Sequence, residues 1–406
     1  MRIGFVFQTL PYLPARDGFR VYGANLIRVL SKTHEIELVS LMHPSEKSEL
    51  AWANRYCKSV RPLEVGHRSL WAKLKNFTSS YSLGKPLVCR GELNTILNAR
   101  AGQSGWDVMH VEGGFTGGLV EGIPPMPAVL SIHDAEALRA REMLNCKLHL
   151  KDRMHYTFRK YAQPPYDRRV YPRFERTIVV AQRDCDFLER LVPSARFAVV
   201  PHGIDTEYFR PIASAKKSYE MVFHGHFGYP PNVQAAVDFA KGIFPLVQAQ
   251  FPQATFHLVG ADPRPEVREL ASRPGIRLSA NLPDLREAVS SAQVYVCPIR
   301  FGTGLKNKLL EAMAMEMSIV AYHPESTTGI DCVPGKHRLG ASTPQEFAAS
   351  VTELFRQPAK AEQIATAARL LILERYSWES RARTYEELYQ AVIAEREVAR
   401  ENGARP

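Results

Sequence analysis

Apolar residues recur along this chain in two alternating rhythms. Short runs rich in β-branched residues (Arg2 to Phe7, Glu35 to Leu41, Val108 to Val111, Ala128 to Ile132 and Thr177 to Val180) predict buried strands. Between them, Val21 to Ser31 and Ala135 to Leu144 place apolar residues at helical spacing. The second half repeats the layout. Strands are expected at Met221 to Gly225, Thr255 to Val259, Ile276 to Leu278, Val294 to Cys297 and Ile319 to Tyr322. Helices are expected from Val233 to Gln250, Arg264 to Ser272, Leu285 to Ala292 and Leu305 to Met315. Alternation of this kind predicts an α/β protein with two doubly wound parallel sheets. Open sheets of that type bind ligands at the carboxyl ends of their strands, here in a cleft between facing domains. A polar stretch with two prolines reads as a linker. The expected organisation is a first domain over 1–200, a linker over 201–218, a second domain over 219–378, and a helical segment over 379–406. That last segment, charged in sequence, is a candidate to pack back on the first domain.

One segment combines several chemical features. After the strand ending at Cys297 comes Pro298-Ile-Arg-Phe-Gly-Thr-Gly-Leu-Lys-Asn-Lys-Leu-Leu-Glu311-Ala-Met-Ala314, a Gly-x-Gly turn running into a helix. Gly302 and Gly304 permit close backbone approach, and the free N–H groups of a helix start attract anions. Lys306 and Lys308 add positive charge, and Glu311, one turn on, is a pure hydrogen-bond acceptor suited to a diol. Gly304, Lys308 and Glu311 share one helical face, so phosphate and hydroxyl contacts lie side by side. An ordinary strand–turn–helix with solvated lysines remains the alternative at this point.

Composition narrows the class. At 406 residues with 45% apolar and 23% charged side chains, two ordinary cores are expected. No apolar run reaches the ~18 residues of a membrane span, and the start reads as a core strand rather than a signal peptide. Six scattered cysteines suggest reduced thiols in the cytoplasm, with no disulfide framework and no metal site. The net charge of +10 is lopsided: residues 1–200 hold 29 Lys/Arg against 19 Asp/Glu, and the remainder balances. Such a field favours a phosphorylated substrate or an anionic membrane surface. Nucleic acid is not expected, since no aromatic–basic recognition motif accompanies the charge.

Six motifs in order resemble one family, the retaining GT-B glycosyltransferases of family 4. Asp284-Leu-Arg286 through Ala292, then Cys297-Pro298 through Ala314, is similar to the family's "D-l-r…P-x-r-x-G-x-G-x-x-x-K-x-x-E-A-M-A". Val200-Pro-His-Gly-Ile-Asp205, His224-Gly-His-Phe-Gly-Tyr-Pro-Pro-Asn232, Ser131-Ile-His-Asp134, Tyr376-Ser-Trp378 and Pro14-Ala-Arg-Asp-Gly18 through Leu26 support it. The resemblance implies two Rossmann-like domains, a nucleotide-sugar donor held by the second and an acceptor held by the first. It implies that Glu311 meets the donor ribose, that Lys306 and Lys308 neutralise the leaving diphosphate, and that His133 approaches the donor sugar. His133, Lys308 and Glu311 are the catalytic candidates. Gly225, Gly228, Leu282, Asp284, Gly302, Thr303, Gly304 and Leu305 complete the donor set, and Arg16, Gly18 and Arg20 are the acceptor candidates. Asp134 is expected to cap the helix from Ala135, and Asn232 the helix from Val233. Gly203 is expected to permit a turn, with His202 near the donor.

Three positions depart from the family pattern. Thr303 stands where the first glutamate of E-x7-E is usual, Glu316 and Ser318 replace a glycine and a proline, and Phe19 replaces the second glycine of the first loop. The expected protein is a cytoplasmic, metal-independent hexosyltransferase that needs no cofactor. Its donor would be a UDP- or GDP-sugar and its acceptor a glycan or lipid-linked intermediate of envelope or exopolysaccharide synthesis. Peripheral contact with the inner face of the cell membrane is expected. A nucleotide-sugar epimerase and a non-catalytic glycan-binding subunit are the alternatives.

Overall fold

A computed structural model describes residues 1–15, 18–65, 90–100, 105–120, 126–213 and 217–401. The chain forms two compact units. One comprises Met1–Leu138, Phe158–Gly203 and Trp378–Pro406, the other Arg139–Thr157 and Ile204–Ser377.

The first unit is built on seven parallel strands: β1 (Arg2–Phe7), β2 (Glu35–Met42), β3 (Ser59–Glu64), β4 (Val108–Glu112), β5 (Ala128–His133), β6 (Arg176–Val179) and β7 (Phe197–Val199). They lie in the order β3-β2-β1-β4-β5-β6-β7. β4 and β5 are buried along their whole length, as central strands of a doubly wound sheet must be. The sequence reading missed β3 and β7. β3 is an edge strand carrying Arg61 and Pro62, which dilute its apolar signal, and β7 has only three residues. The helix Trp378–Glu401 belongs to this unit. Its Trp378, Ala382, Tyr385, Tyr389 and Val392 repeat at heptad-like spacing and enter the same core as Tyr22, Leu26 and Ile27 of the helix Gly18–Leu30. Gly203 serves this packing rather than a turn: a Cβ there would meet the Trp378 ring at 2.5 Å.

The second unit has six parallel strands: β8 (Lys217–His226), β9 (Thr255–Ala261), β10 (Ile276–Ala280), β11 (Ala292–Cys297), β12 (Ser318–Tyr322) and β13 (Leu339–Ala341), in the order β10-β9-β8-β11-β12-β13. The helix expected over Val233 to Gln250 starts at Pro230 and contains a π turn, Phe239–Ile243. That turn widens the ladder just before Pro245, which has no N–H to give it. Residues Arg139–Thr157, assigned by the sequence reading to the first domain, cluster with this unit. Within that unit, Asp152 meets Arg264 at 3.6 Å and His149 meets Glu266 at 3.9 Å. The five described cysteines are free and buried; Cys89 lies outside the described residues. Among the described residues no helix is long and apolar enough to cross a membrane.

Candidate active site

In the second unit, two strand-to-helix loops meet at the carboxyl ends of β8 and β11. The β11 loop is shaped by Gly302 (φ +100°) and Gly304 (φ +69°), both left-handed, a conformation that favours glycine. Lys306 closes it. Its buried ammonium donates to the carbonyls of Gly302, Thr303 and Gly304 at 3.0, 2.9 and 3.0 Å. An ammonium has three N–H donors, so Lys306 is committed to holding the loop rather than to a ligand phosphate. It also precedes the helix, which runs over Asn307–Ala314. Lys308, in that helix, is therefore the lysine whose hydrogens remain for a ligand. It is half-buried, and its side chain lies against the β8 loop, where a Cβ on Gly225 would sit 3.0 Å from Lys308 Cε. Burial lowers its ammonium below the usual lysine range, and Cys297 and then Glu311 partly restore it.

Glu311 pairs with a residue the sequence reading did not single out. Its Oε2 lies 2.7 Å from Nε2 of His224, a buried histidine on β8. The β8 loop is tied by Asn232, whose side-chain amide donates to His226 O at 2.8 Å. Asn232 thus lies inside its helix, which begins at Pro230, and is not the cap. A Cβ on Gly228 would strike the His226 ring, and one on Gly302 would lie 3.7 Å from Tyr229 Oη and Pro231 Cγ. Around these contacts three buried polar atoms have no hydrogen-bond partner: His224 Nδ1, Asn232 Oδ1 and Thr303 Oγ1. Buried polar groups are normally satisfied, and these three lie beside loops at a sheet's carboxyl edge, where open α/β sheets bind ligands.

Gly260 on β9 pairs with Gly225, and a Cβ there would strike Gly225 O at 1.8 Å. Gly260→Ala is therefore expected to cost about 1–3 kcal/mol and to displace the β8 loop. A lowered thermal midpoint is the check, and an unchanged midpoint would count against this packing.

The remaining donor candidates stand apart in character. Leu282 is exposed, and Leu305 is half-buried against the core. Asp284 is held by Arg286 at 2.6 Å, which lowers its carboxyl. That guanidinium stacks on the Tyr208 ring at 3.9 Å and donates to Tyr208 O at 2.7 Å. The two replaced family positions are absorbed structurally. Glu316 adopts φ +57° as the left-handed residue ending the Asn307–Ala314 helix, and Thr366 donates to its carboxylate at 2.7 Å. Ser318 donates to Gln293 O at 2.7 Å, bridging β12 to β11.

In the first unit, His133 ends β5 with φ +62°. A histidine held in that region is a strained backbone point of the kind that clusters at functional sites. Both ring nitrogens are engaged: Nε2 with Glu112 Oε1, and Nδ1 with His202 Nε2 at 2.5 Å. Glu112 Oε2 also meets His110 Nε2 at 3.2 Å, and His110 Nδ1 meets the Tyr389 hydroxyl at 2.6 Å. Glu112 and His110 are wholly buried and belong to β4, where they read in sequence as two polar residues inside an apolar strand. Burial would raise the Glu112 carboxyl, but His133 and the hydrogen bonds from both histidines bring it down to about 2. Burial lowers His133 while Glu112 raises it more, so its net shift is upward.

Phe19 and Tyr22 pack edge-on against the His133 ring at 4.8 and 4.5 Å. The N–H of Ala135 donates to Asp184 Oδ1 at 2.8 Å. Gly18 opens the helix Gly18–Leu30, with open space where a Cβ would be. Arg20, an acceptor candidate, is paired with Glu46 at 2.5 Å, and the Glu46 carboxylate is fixed by the turn at His43–Glu46. Arg16 lies outside the described residues.

Comparison with known proteins gives two family-model matches: "Glycosyltransferase Family 4" over residues 16–208 and "Glycosyl transferases group 1" over 218–357. No curated protein matches significantly. Among solved structures, sucrose-phosphate synthase from Thermosynechococcus elongatus is 16% identical, with a TM-score of 0.66 over 97% of this chain and 100% of that one. Anabaena HepE, solved with UDP and glucose, is 11% identical, with a TM-score of 0.63 over 96% and 99%. TarM of S. aureus, solved with UDP, fondaparinux and α-GlcNAc-glycerol, is 10% identical, with a TM-score of 0.63 over 95% and 99%. At these identities the likeness carries the fold. With consecutive family models on both halves and the two Rossmann-like sheets, the chain belongs to the GT-B glycosyltransferases of the group 1, family 4 type.

Proposed function

We propose that this glycosyltransferase moves a hexosyl unit, with retention, from a UDP- or GDP-sugar to a glycan or lipid-linked acceptor of exopolysaccharide or cell-envelope synthesis. The observation that carries the reading is the meeting of the β8 and β11 loops, where Lys308, Glu311 and three unpartnered buried polar atoms share one edge of the sheet. Lys308 stabilises the diphosphate as it leaves, a charge that grows toward the transition state and so favours the rate. Glu311 bonds His224 through Oε2, and Oε1 is left for a ribose hydroxyl. UDP bound to the Anabaena and S. aureus structures supports a uridine nucleotide among the candidates. His133 is the catalytic candidate of the first unit, and Arg16, Gly18 and Arg20 are the acceptor candidates. No metal or cofactor enters this scheme, because the lysine takes the role of the cation.

The enzyme would work in the cytoplasm, its basic residues drawing it to an anionic membrane. Sedimentation with anionic but not neutral vesicles is the check on that part. The test of the reaction is product analysis with a labelled nucleotide sugar and candidate acceptors. A glycosylated acceptor with the donor's anomeric configuration is expected. An inverted product would overturn retention, and an epimerised free nucleotide sugar would overturn transfer.

A further inference from the structure

In the first unit, the polar contacts around His133 join into one continuous chain of side chains. From inside outward it runs Tyr389, His110, Glu112, His133, His202, with contacts of 2.6 Å for Tyr389–His110, 3.2 Å for His110–Glu112 and 2.5 Å for His133–His202. Proton bookkeeping along it is tightly constrained. An ionised carboxylate only accepts, so His110 presents Nε2–H to Glu112; with His110 neutral, its Nδ1 accepts from the Tyr389 hydroxyl. His133 presents Nε2–H to the other carboxylate oxygen. What remains open is the proton between His133 Nδ1 and His202 Nε2.

We propose that Glu112 is a positioning residue that holds His133 as an imidazolium, so that His133 donates through both nitrogens and His202 carries its own proton on Nδ1. The buried chain is then neutral overall, one carboxylate against one imidazolium, which avoids an uncompensated charge in the core. His133 cannot offer a nitrogen to a ligand without releasing Glu112 or His202. Its role is a fixed positive charge at the carboxyl end of β5, and His202, which is half-buried, is the member of the chain nearest solvent. The other groups facing His133 are Tyr22 from the helix Gly18–Leu30 and the adjacent Asp134. Tyr385 and Tyr389 of the last helix lie by Glu112 and are held as phenols by burial. None of these supplies a competing positive charge. The upward shift of His133 agrees with this arrangement.

The protonation assignment stands on the unliganded unit; only its consequence for catalysis rests on the transferase reading. The experiment is a ¹⁵N-histidine NMR titration of the full-length protein, wild type and Glu112→Gln, with steady-state kinetics on the same samples. In the wild type, His133 is expected to be doubly protonated at pH 7 and His202 to be the Nδ1–H tautomer. In Glu112→Gln, the His133 midpoint should move down by roughly one to three pH units. The alkaline limb of kcat should move with it, and kcat should fall roughly 100-fold with little change in KM. A neutral His133 at pH 7 in the wild type, which needs no variant to fold, overturns the proposal. So does a Glu112→Gln protein whose His133 titrates as before. If the NMR result holds while no transfer is detected for any donor, the positioning stands and the reaction assignment fails.

Discussion

Replacing Lys306 with methionine is expected to lower stability by about 3 kcal/mol and to abolish tight donor binding. The mechanism is specific: three carbonyls of one tight loop lose a charged donor in a buried setting, and each such bond is worth about 1.5–3 kcal/mol with incomplete additivity. For a unit of this size the thermal midpoint should drop by roughly 6–12 °C. Lys306→Arg should not rescue it, since a planar fork does not reproduce three divergent N–H bonds to one turn. Differential scanning calorimetry reads the result. A midpoint within about 1 °C of wild type would mean that the glycines alone hold the loop.

The second large effect concerns Lys308. Lys308→Ala is expected to lower kcat by roughly 10²- to 10³-fold, the scale of removing one preorganised donor from a site where negative charge develops. The fold should survive, because Lys308 is only half-buried and carries no loop carbonyl. Its lowered pKa fixes the sign of the pH dependence. A cation whose pKa is depressed loses its proton earlier as pH rises, so wild-type activity should decline on the alkaline side below the range where ordinary lysines titrate. That decline, separate from the limb set by His133, should be missing from the residual activity of Lys308→Ala, which keeps the His133 limb. An alanine variant with wild-type kcat would remove Lys308 from the mechanism.

Much of this architecture is legible in the sequence because central parallel strands are continuous apolar runs. β1, β5 and β11 announce themselves largely for that reason, and β4 does so through Val108, Met109 and Val111 despite His110 and Glu112. β3 does not, since an edge strand tolerates Arg61 and Pro62. The last helix hides its purpose differently: five buried residues spaced over four turns are diluted by a charged outer face. At the site, the Gly-x-Gly turn and Glu311 are visible because glycine spacing and a lone carboxylate are local signals. The division of labour between Lys306 and Lys308 is not local. It depends on which ammonium folds back onto carbonyls two to four residues earlier, a matter of backbone path. His224, His110 and Glu112 escape notice because each sits in a strand whose apolar neighbours dominate its reading. Their meaning appears only when β4 is set beside β5, and β8 beside β11.

The central claim is that the loops after β8 and β11 hold a nucleotide diphosphate through Lys308 and Glu311. Isothermal titration calorimetry of UDP, GDP and their sugars against wild type, Lys308→Ala and Glu311→Ala tests it most directly. At least one nucleotide is expected to bind the wild type, with affinity reduced roughly tenfold or more in each variant, since charged hydrogen bonds of this kind contribute about 1.5–3 kcal/mol. Equal affinity across all three proteins, or no binding of any nucleotide to the wild type, would contradict the account.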